Sequence, residues 1–206
     1  RVLLNPGRDR DESLNKPLSY ISGERVNKPL IYVGMGTCGR TAGAETTFDA
    51  IRDYLGEHNI DADLIEGGCN GFCSEEPIVD IQLPGKTRLA FGKVKASGVQ
   101  LLLDDILNDN LPDENVLGQH KNKVLREWEG VPYLDEHPFF SGQERILLEH
   151  CGTLDPVSAE AYIARGGYHA FTDIISKYTP AQVCEIITKS GLRGRGGGGY
   201  PTGEKW

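Results

Sequence analysis

The chain first becomes strand-like at Lys28-Pro29-Leu30-Ile31-Tyr32-Val33-Gly34, an apolar run with β-branched and aromatic side chains. A glycine-rich turn that contains Cys38 follows, and the helical spacing of apolar residues then predicts a helix from Ala44 to His58. The same reasoning predicts strands at 62–65, 78–83 and 88–91, and a closing helix from about Val94 to Asn108. The order β-α-β-β-β-α predicts an α/β domain over residues 28–109.

This element order is that of a thioredoxin-like domain, and the segments on either side of it have a different character. Residues 1–27 are polar and predict a surface arm, whereas residues 110–143 predict a linker. The aromatic residues of that linker either cover the surface of a neighbouring domain or form a partner site; they are Trp128, Tyr133, Phe139 and Phe140. Residues 144–206 predict short helices that begin after Asp155, at Tyr168 and after Thr179.

Composition narrows the class of protein. The net charge of −8 argues against a nucleic-acid binder, and no apolar run reaches the roughly 18–20 residues that span a bilayer. The chain starts at Arg1 without Met or a signal-peptide pattern, which we interpret as a trimmed beginning. Five cysteines are an odd count and poorly spaced for a disulfide framework. We therefore expect reduced thiols in the cytoplasm, some of which bind metal.

Three of the cysteines predict a metal site. Cys69 and Cys73 are three residues apart in the loop Gly67-Gly68-Cys69-Asn70-Gly71-Phe72-Cys73, whose backbone amides can face thiolate sulfurs. Cys38 lies in a second glycine-rich turn, after the first strand, and loops after the first two strands of such a domain can lie at the same end. Cys151 and Cys184 are interpreted as packing residues, and none of the five histidines has metal-ligand spacing.

The pattern resembles the thioredoxin-like 2Fe–2S ferredoxins, whose cysteines are spaced C-x4-C and, much later, C-x3-C. The second pair is present as Cys69 and Cys73, followed by Glu76-Pro77, as is typical of that family. The first pair is incomplete, because the partner of Cys38 would fall at Val33 or at Gly43. Three outcomes stay open: a cluster with a fourth ligand from another side chain or a flanking segment, a scaffold that has lost its cluster, or a Cys69–Cys73 disulfide.

A second motif lies at the end of the chain, where Gly194-Arg195-Gly196-Gly197-Gly198-Gly199 matches G-x-G-x-x-G. It follows a helix, whereas the dinucleotide-binding fingerprint follows a strand, so the letters alone carry little weight. Consecutive glycines nevertheless let backbone amides approach an anionic cofactor, and Arg193, Arg195 and Lys205 add positive charge.

The whole stretch from Ser190 to Trp206 closely resembles the signature S-G-L-R-G-R-G-G-A-G-F-P-T-G-x-K-W of the NADH- and FMN-binding subunit of respiratory complex I and its relatives. Fusion to a thioredoxin-like domain resembles the flavin subunits of NAD-linked hydrogenases, formate dehydrogenases and electron-bifurcating complexes. The resemblance implies that Gly194, Arg195, Gly196 and Lys205 help to hold FMN. It also implies that Gly197 and Tyr200 lie near the nicotinamide of NAD(H).

The resemblance further implies an NADH dehydrogenase-type subunit that passes electrons between NADH, FMN and iron–sulfur clusters. Its partners would be a small thioredoxin-like 2Fe–2S subunit and a large iron–sulfur, hydrogenase or formate dehydrogenase-type subunit. The rest of the pocket and a 4Fe–4S cluster would lie beyond Trp206, so residues 1–206 alone are expected to be inactive, and residues 144–206 begin an incomplete FMN/NADH domain. The alternative is a cluster-free thioredoxin-like module that only joins subunits.

Overall fold

A computed structural model describes residues 25–206, so most of the predicted arm (1–27) lies outside the described residues. The described residues form two compact units, one ending at Tyr162 and the other running from Ile163 to Trp206. No helix within 25–206 is long and apolar enough to cross a membrane.

The first unit is built on a five-stranded mixed sheet, in the order β2-β1-β3-β4-β5. β1 pairs in parallel with β2 and antiparallel with β3, and the remaining neighbours are antiparallel. The strands are β1 (Leu30–Gly34), β2 (Asp63–Gly67), β3 (Val79–Gln82), β4 (Leu89–Phe91) and β5 (Val116–Gln119). The α/β class and the thioredoxin-like arrangement predicted from the sequence are confirmed.

Helices α1 (Thr37–Ala42) and α2 (Ala44–Glu57) follow β1, and α3 (Val99–Leu107) follows β4. The closing helix buries an apolar stripe of Val99, Leu102, Leu103 and Ile106, although the α-helix itself begins at Val99 and not near Val94. Strand and helix side chains meet in one core, which includes Ile31, Val33, Ile51, Ile81, Leu89, Phe91, Leu103 and Ile106. Burying a continuous set of aliphatic and aromatic side chains is the main force that holds the helices on the sheet.

The segment predicted as a linker contains a strand, β5, that the sequence pattern does not predict. β5 pairs with β4 at the edge of the sheet, and the Trp128 side chain that follows it is only 6% exposed. The Trp128 ring nitrogen donates to the carbonyl oxygen of Thr87 at 3.0 Å, and its backbone amide donates to the Gln119 side chain at 2.9 Å. Trp128 therefore belongs to the core of the first unit.

Two short helices complete the first unit, α4 (Pro138–Ser141) and α5 (Ala159–Ala164), the latter ending in the second unit. The predicted helix after Asp155 begins later, at Ala159, where the Ser158 hydroxyl accepts a hydrogen bond from the Ala161 amide at 3.1 Å. The second unit contains α6 (His169–Lys177), α7 (Pro180–Lys189) and α8 (Thr202–Lys205). Thr179 caps α7 reciprocally with Gln182, as its Thr-Pro start predicts.

Tyr54 gives the first unit a predicted pH dependence. Its hydroxyl donates to Asp104 at 2.5 Å, and burial, followed by this hydrogen bond, raises the pKa of Tyr54 to about 12. The unfolded chain ionises this tyrosine near its ordinary value of about 10, so the free energy of unfolding falls as pH rises from about 10 toward 12. The free energy of unfolding, measured with urea across this pH range, should fall less for Tyr54→Phe than for the wild type. Replacing the exposed Tyr178 with Phe should leave the wild-type profile unchanged.

Candidate metal centre and glycine loop

The structure brings the three predicted cysteines together. The Cys38 and Cys69 sulfurs are 3.3 Å apart, and the Cys69 and Cys73 sulfurs are 3.7 Å apart. All three sulfurs lie within 4.8 Å of one another, and no disulfide joins any of the five cysteines. We refer to Cys38, Cys69 and Cys73 as the three-cysteine group.

Strand pairing explains why Cys38 and Cys69, 31 positions apart in the sequence, lie close together. Gly34 and Gly67 are register partners at the ends of the parallel strands β1 and β2, and the Met35 amide donates to the Gly67 carbonyl at 2.8 Å. Both loops therefore leave the sheet at the same edge. A side chain at Gly36 would place its Cβ 2.8 Å from the Cβ of Cys69, so glycine is needed for the two loops to approach this closely.

The surroundings of the thiols suit a bound metal. The Gly71 amide donates to the Cys69 sulfur at 3.2 Å, a contact that stabilises negative charge on sulfur. Burial, and then the neighbouring Cys69 thiol, raises the pKa of Cys38, which opposes ionisation of that thiol until a cation is present. Thiolates are the ligands of iron–sulfur clusters and of structural zinc, so the donor set fits an iron–sulfur centre.

Neither sequence position expected for a fourth cysteine offers a donor side chain. Val33 is fully buried in β1, and Gly43 has a left-handed backbone, with φ of +101°, between α1 and α2. The polar side chain that does reach the group is Glu76, which is 7% exposed. Its Oε1 lies 3.7 Å from the Cys38 sulfur, and burial raises the pKa of this carboxyl. Its only signal in the sequence is the Glu-Pro that follows the cysteine loop.

An aromatic clasp holds the loop that carries Cys69 and Cys73. Phe72 stacks on Phe139 with ring centroids 4.3 Å apart and meets the edge of Phe140 at 5.6 Å. Arg145 donates to the Asn70 carbonyl at 2.7 Å. The predicted surface aromatics Phe139 and Phe140 are thus placed against the metal loop.

Of the two cysteines interpreted as packing residues, Cys151 precedes Gly152, which packs against the same loop. A Cβ at Gly152 would lie 2.7 Å from the Cβ of Asn70. Both Cys151 and Cys184 are partly buried, and neither belongs to the three-cysteine group.

The glycine loop of the second unit is a closed, exposed turn between α7 and α8. The Gly194 amide donates to the Tyr200 carbonyl at 2.8 Å, and the Arg193 guanidinium donates to the Gly199 carbonyl at 2.9 Å. Gly197 and Gly199 have φ values of +107° and +59°, which favour glycine. Arg193, one of the three cations noted in the sequence of this loop, thus donates to the backbone of the loop itself.

The predicted flavin and nicotinamide residues therefore lie on one solvent-facing turn, except Lys205, which lies at the end of α8. The exposed members are Gly194, Arg195, Gly196, Gly197, Tyr200 and Lys205. The base of the turn is fixed at Gly203, where a Cβ would lie 2.5 Å from the Thr188 nitrogen. The turn is held from both sides, and the residues at its centre are exposed.

No family model matches the chain. A stretch of 64 residues is 48% identical to the HndC subunit of the NADP-reducing hydrogenase of Solidesulfovibrio fructosivorans, covering 31% of this chain and 13% of the relative. A stretch of 63 residues is 43% identical to the F 2 subunit of the NADH-quinone oxidoreductase of Rhizobium meliloti (strain 1021), covering 31% of this chain and 15% of that relative. The chain thus spans only a small part of these two proteins.

A third relative matches a larger share of the chain. The HndB subunit of the NADP-reducing hydrogenase of Solidesulfovibrio fructosivorans is 26% identical over 102 residues, which are 49% of this chain and 81% of HndB. The matches confirm the resemblance predicted from the cysteine and glycine motifs. Segments of this chain are homologous to subunits of NADP-reducing hydrogenase and of NADH-quinone oxidoreductase, which are oxidoreductase complexes.

Proposed function

We propose that the first unit binds a 2Fe–2S cluster and acts as an electron-transfer segment of an NAD(H)-linked flavin and iron–sulfur subunit. The observation that carries the proposal is the convergence of the Cys38, Cys69 and Cys73 sulfurs within 4.8 Å at one edge of the sheet. A bound cluster would supply one-electron oxidation and reduction. Cys38, Cys69 and Cys73 would hold the cluster, and the Gly71 amide would stabilise the thiolate of Cys69.

We further propose that the glycine loop belongs to a site for FMN and NAD(H). Gly194, Arg195, Gly196 and Lys205 are assigned to FMN, and Gly197 and Tyr200 to the nicotinamide. The positive-φ glycines of this exposed turn and the exposed Arg195 support this assignment, because backbone amides and a guanidinium can both bind phosphate oxygens. A 4Fe–4S cluster, partner subunits of the hydrogenase or quinone-reductase type and a cytoplasmic location complete the proposal for the whole protein.

The proposed domain organisation follows from these two sites. The thioredoxin-like domain (28–109) carries the metal site, and residues 144–206 begin the flavin and NADH domain. The segment 110–143, predicted as a linker, supplies β5 and Trp128 to the first unit and the aromatic clasp to the metal loop. We therefore assign this segment to the thioredoxin-like domain.

Iron and acid-labile sulfide in the anaerobically purified full-length protein test the proposed function. We expect iron and sulfide in equal amounts, with about two of each lost in a Cys69→Ala/Cys73→Ala variant, and a 2Fe–2S EPR signal after dithionite that the variant lacks. Equal iron in both proteins would favour the alternative, a cluster-free docking module. The matched control is Cys184→Ala, which removes a cysteine outside the three-cysteine group.

The flavin assignment predicts a specific loss of affinity. Arg195→Ala in the full-length protein should weaken FMN binding by about 10- to 100-fold, because a charge-assisted hydrogen bond to phosphate contributes about 1.5–3 kcal/mol. Fluorescence titration of the apoprotein with FMN measures the dissociation constant. Lys189→Ala, which removes an exposed cation paired with Glu185 on α7, should leave that constant unchanged. Equal affinities in wild type and Arg195→Ala would contradict the assignment.

A further inference from the structure

The three-cysteine group is one donor short of a complete ligand set. A 2Fe–2S cluster ordinarily takes four protein ligands, and the positions expected from sequence spacing, Val33 and Gly43, have no donor side chain. The identity of the fourth ligand rests on the proposed cluster.

One oxygen of Glu76 lies as close to a cysteine sulfur as the sulfurs lie to one another. Glu76 Oε1 is 3.7 Å from the Cys38 sulfur, and the Cys69 sulfur is 3.3 Å from that of Cys38 and 3.7 Å from that of Cys73. Two donors held tetrahedrally on one metal ion by bonds of about 2.0–2.3 Å lie about 3.3–3.8 Å apart. Glu76 Oε1 therefore has the spacing of a fourth ligand beside the three sulfurs.

The Glu76 carboxylate is held with one oxygen turned toward the cysteines. Its Oε2 accepts a hydrogen bond from the Ile78 amide at 2.8 Å, which leaves Oε1 facing Cys38. Glycines 34 and 39 make the room for it, since a Cβ at either position would lie 2.8 Å or 3.1 Å from Oε2. The carboxylate thus occupies a fixed pocket at the edge of the metal site.

No basic side chain of the described residues neutralises the Glu76 carboxylate. Among residues 25–206, no lysine or arginine forms an ion pair with Glu76, and the charged group that bears on its pKa is another carboxylate, Asp80. Buried carboxylates are ordinarily paired with a cation or coordinate a metal. We propose that Glu76 Oε1 is the fourth ligand of the cluster. Glu76 and one cysteine would bind one iron, and the other two cysteines would bind the other.

Mössbauer spectroscopy of the ⁵⁷Fe-enriched, oxidised full-length protein tests this ligand set. Subtracting the spectrum of the Cys69→Ala/Cys73→Ala variant isolates the iron of this site. We expect two ferric quadrupole doublets of equal area, one from the iron with two cysteines and one from the iron with an oxygen ligand. Glu76→Gln should lose the second doublet, because a neutral amide is a much weaker ligand than a carboxylate.

The matched control is Glu75→Gln, which removes the neighbouring carboxylate paired with Lys93 and should keep both doublets. A single ferric environment in the wild type, or two doublets that persist unchanged in Glu76→Gln, would overturn the assignment while leaving the cluster itself in place. Absence of any iron at this site in the wild type would overturn both the cluster and its fourth ligand. A single ferric environment in the wild type would overturn the assignment even if Glu76→Gln fails to fold.

Discussion

Cys69→Ala should reduce the iron bound at the three-cysteine group to less than about a tenth of the wild-type amount. Cys69 is the central donor, because its sulfur lies 3.3 Å from that of Cys38 and 3.7 Å from that of Cys73. Its removal leaves Cys38 and Cys73 without the sulfur that both of them contact. It also leaves the Gly71 amide without the sulfur that it faces. Iron analysis combined with the visible absorption of the oxidised protein measures the loss.

Cys151→Ala is the sharpest control for this experiment. Cys151 lies beside Gly152, which packs on the same loop, yet it is outside the three-cysteine group. Its loss should leave both iron and absorption within error of the wild type. Full iron in Cys69→Ala, or equal losses in the two variants, would show that the cysteine geometry is not the reason for metal binding.

Gly39→Ala should lower the free energy of unfolding by about 3 kcal/mol, because the added Cβ would overlap the Gly34 carbonyl at the end of β1. Gly39 is buried in α1, and the atom that it would meet is backbone, so no side-chain rotation relieves the clash. α1 would have to move away from β1 and carry Cys38 with it. Urea unfolding measures the change in stability, and iron analysis at low temperature measures the effect on the site.

The matched control is Gly56→Ala in α2, where an added Cβ has nothing within 4 Å. Alanine in a helix is favoured over glycine, so this variant should gain about 0.5–1 kcal/mol. Opposite signs for the two substitutions would identify the close approach of α1 to β1 as the cause. Similar values for both would mean that α1 accommodates the methyl group by a small shift.

Sequence patterns predicted those parts of the fold that local signals determine. The apolar run of β1, the stripe of α3 and the Thr179-Pro180 start of α7 are each specified within a few residues of themselves. The patterns did not predict α1 and β5, because these two elements depend on contacts with distant parts of the chain. α1 has a glycine within it and another at its end, which predicts a turn. β5 is four residues long, contains Gly118 and exists through its pairing with β4.

The candidate site was likewise predictable only where local sequence signals determine it. Spacing and glycine content identified Cys38, Cys69 and Cys73, because strands that run in parallel bring their following loops to one edge. The position of Glu76 was not predictable, since its orientation depends on space left by Gly34 and Gly39. The contact between Phe72 and Phe139 was also not predictable, because neither local sequence indicates that the other segment packs against it.

The clasp has a consequence for the order of events during synthesis. Asn70 and Arg145 are 75 positions apart, and Phe72 meets Phe139 across a similar interval. A contact of such long sequence separation forms only after the intervening chain has left the ribosome and its loop-closure entropy has been overcome. Iron delivered to the nascent chain would therefore meet a cysteine loop without its aromatic cover. The cysteine loop gains this aromatic cover only after translation of the first unit is complete.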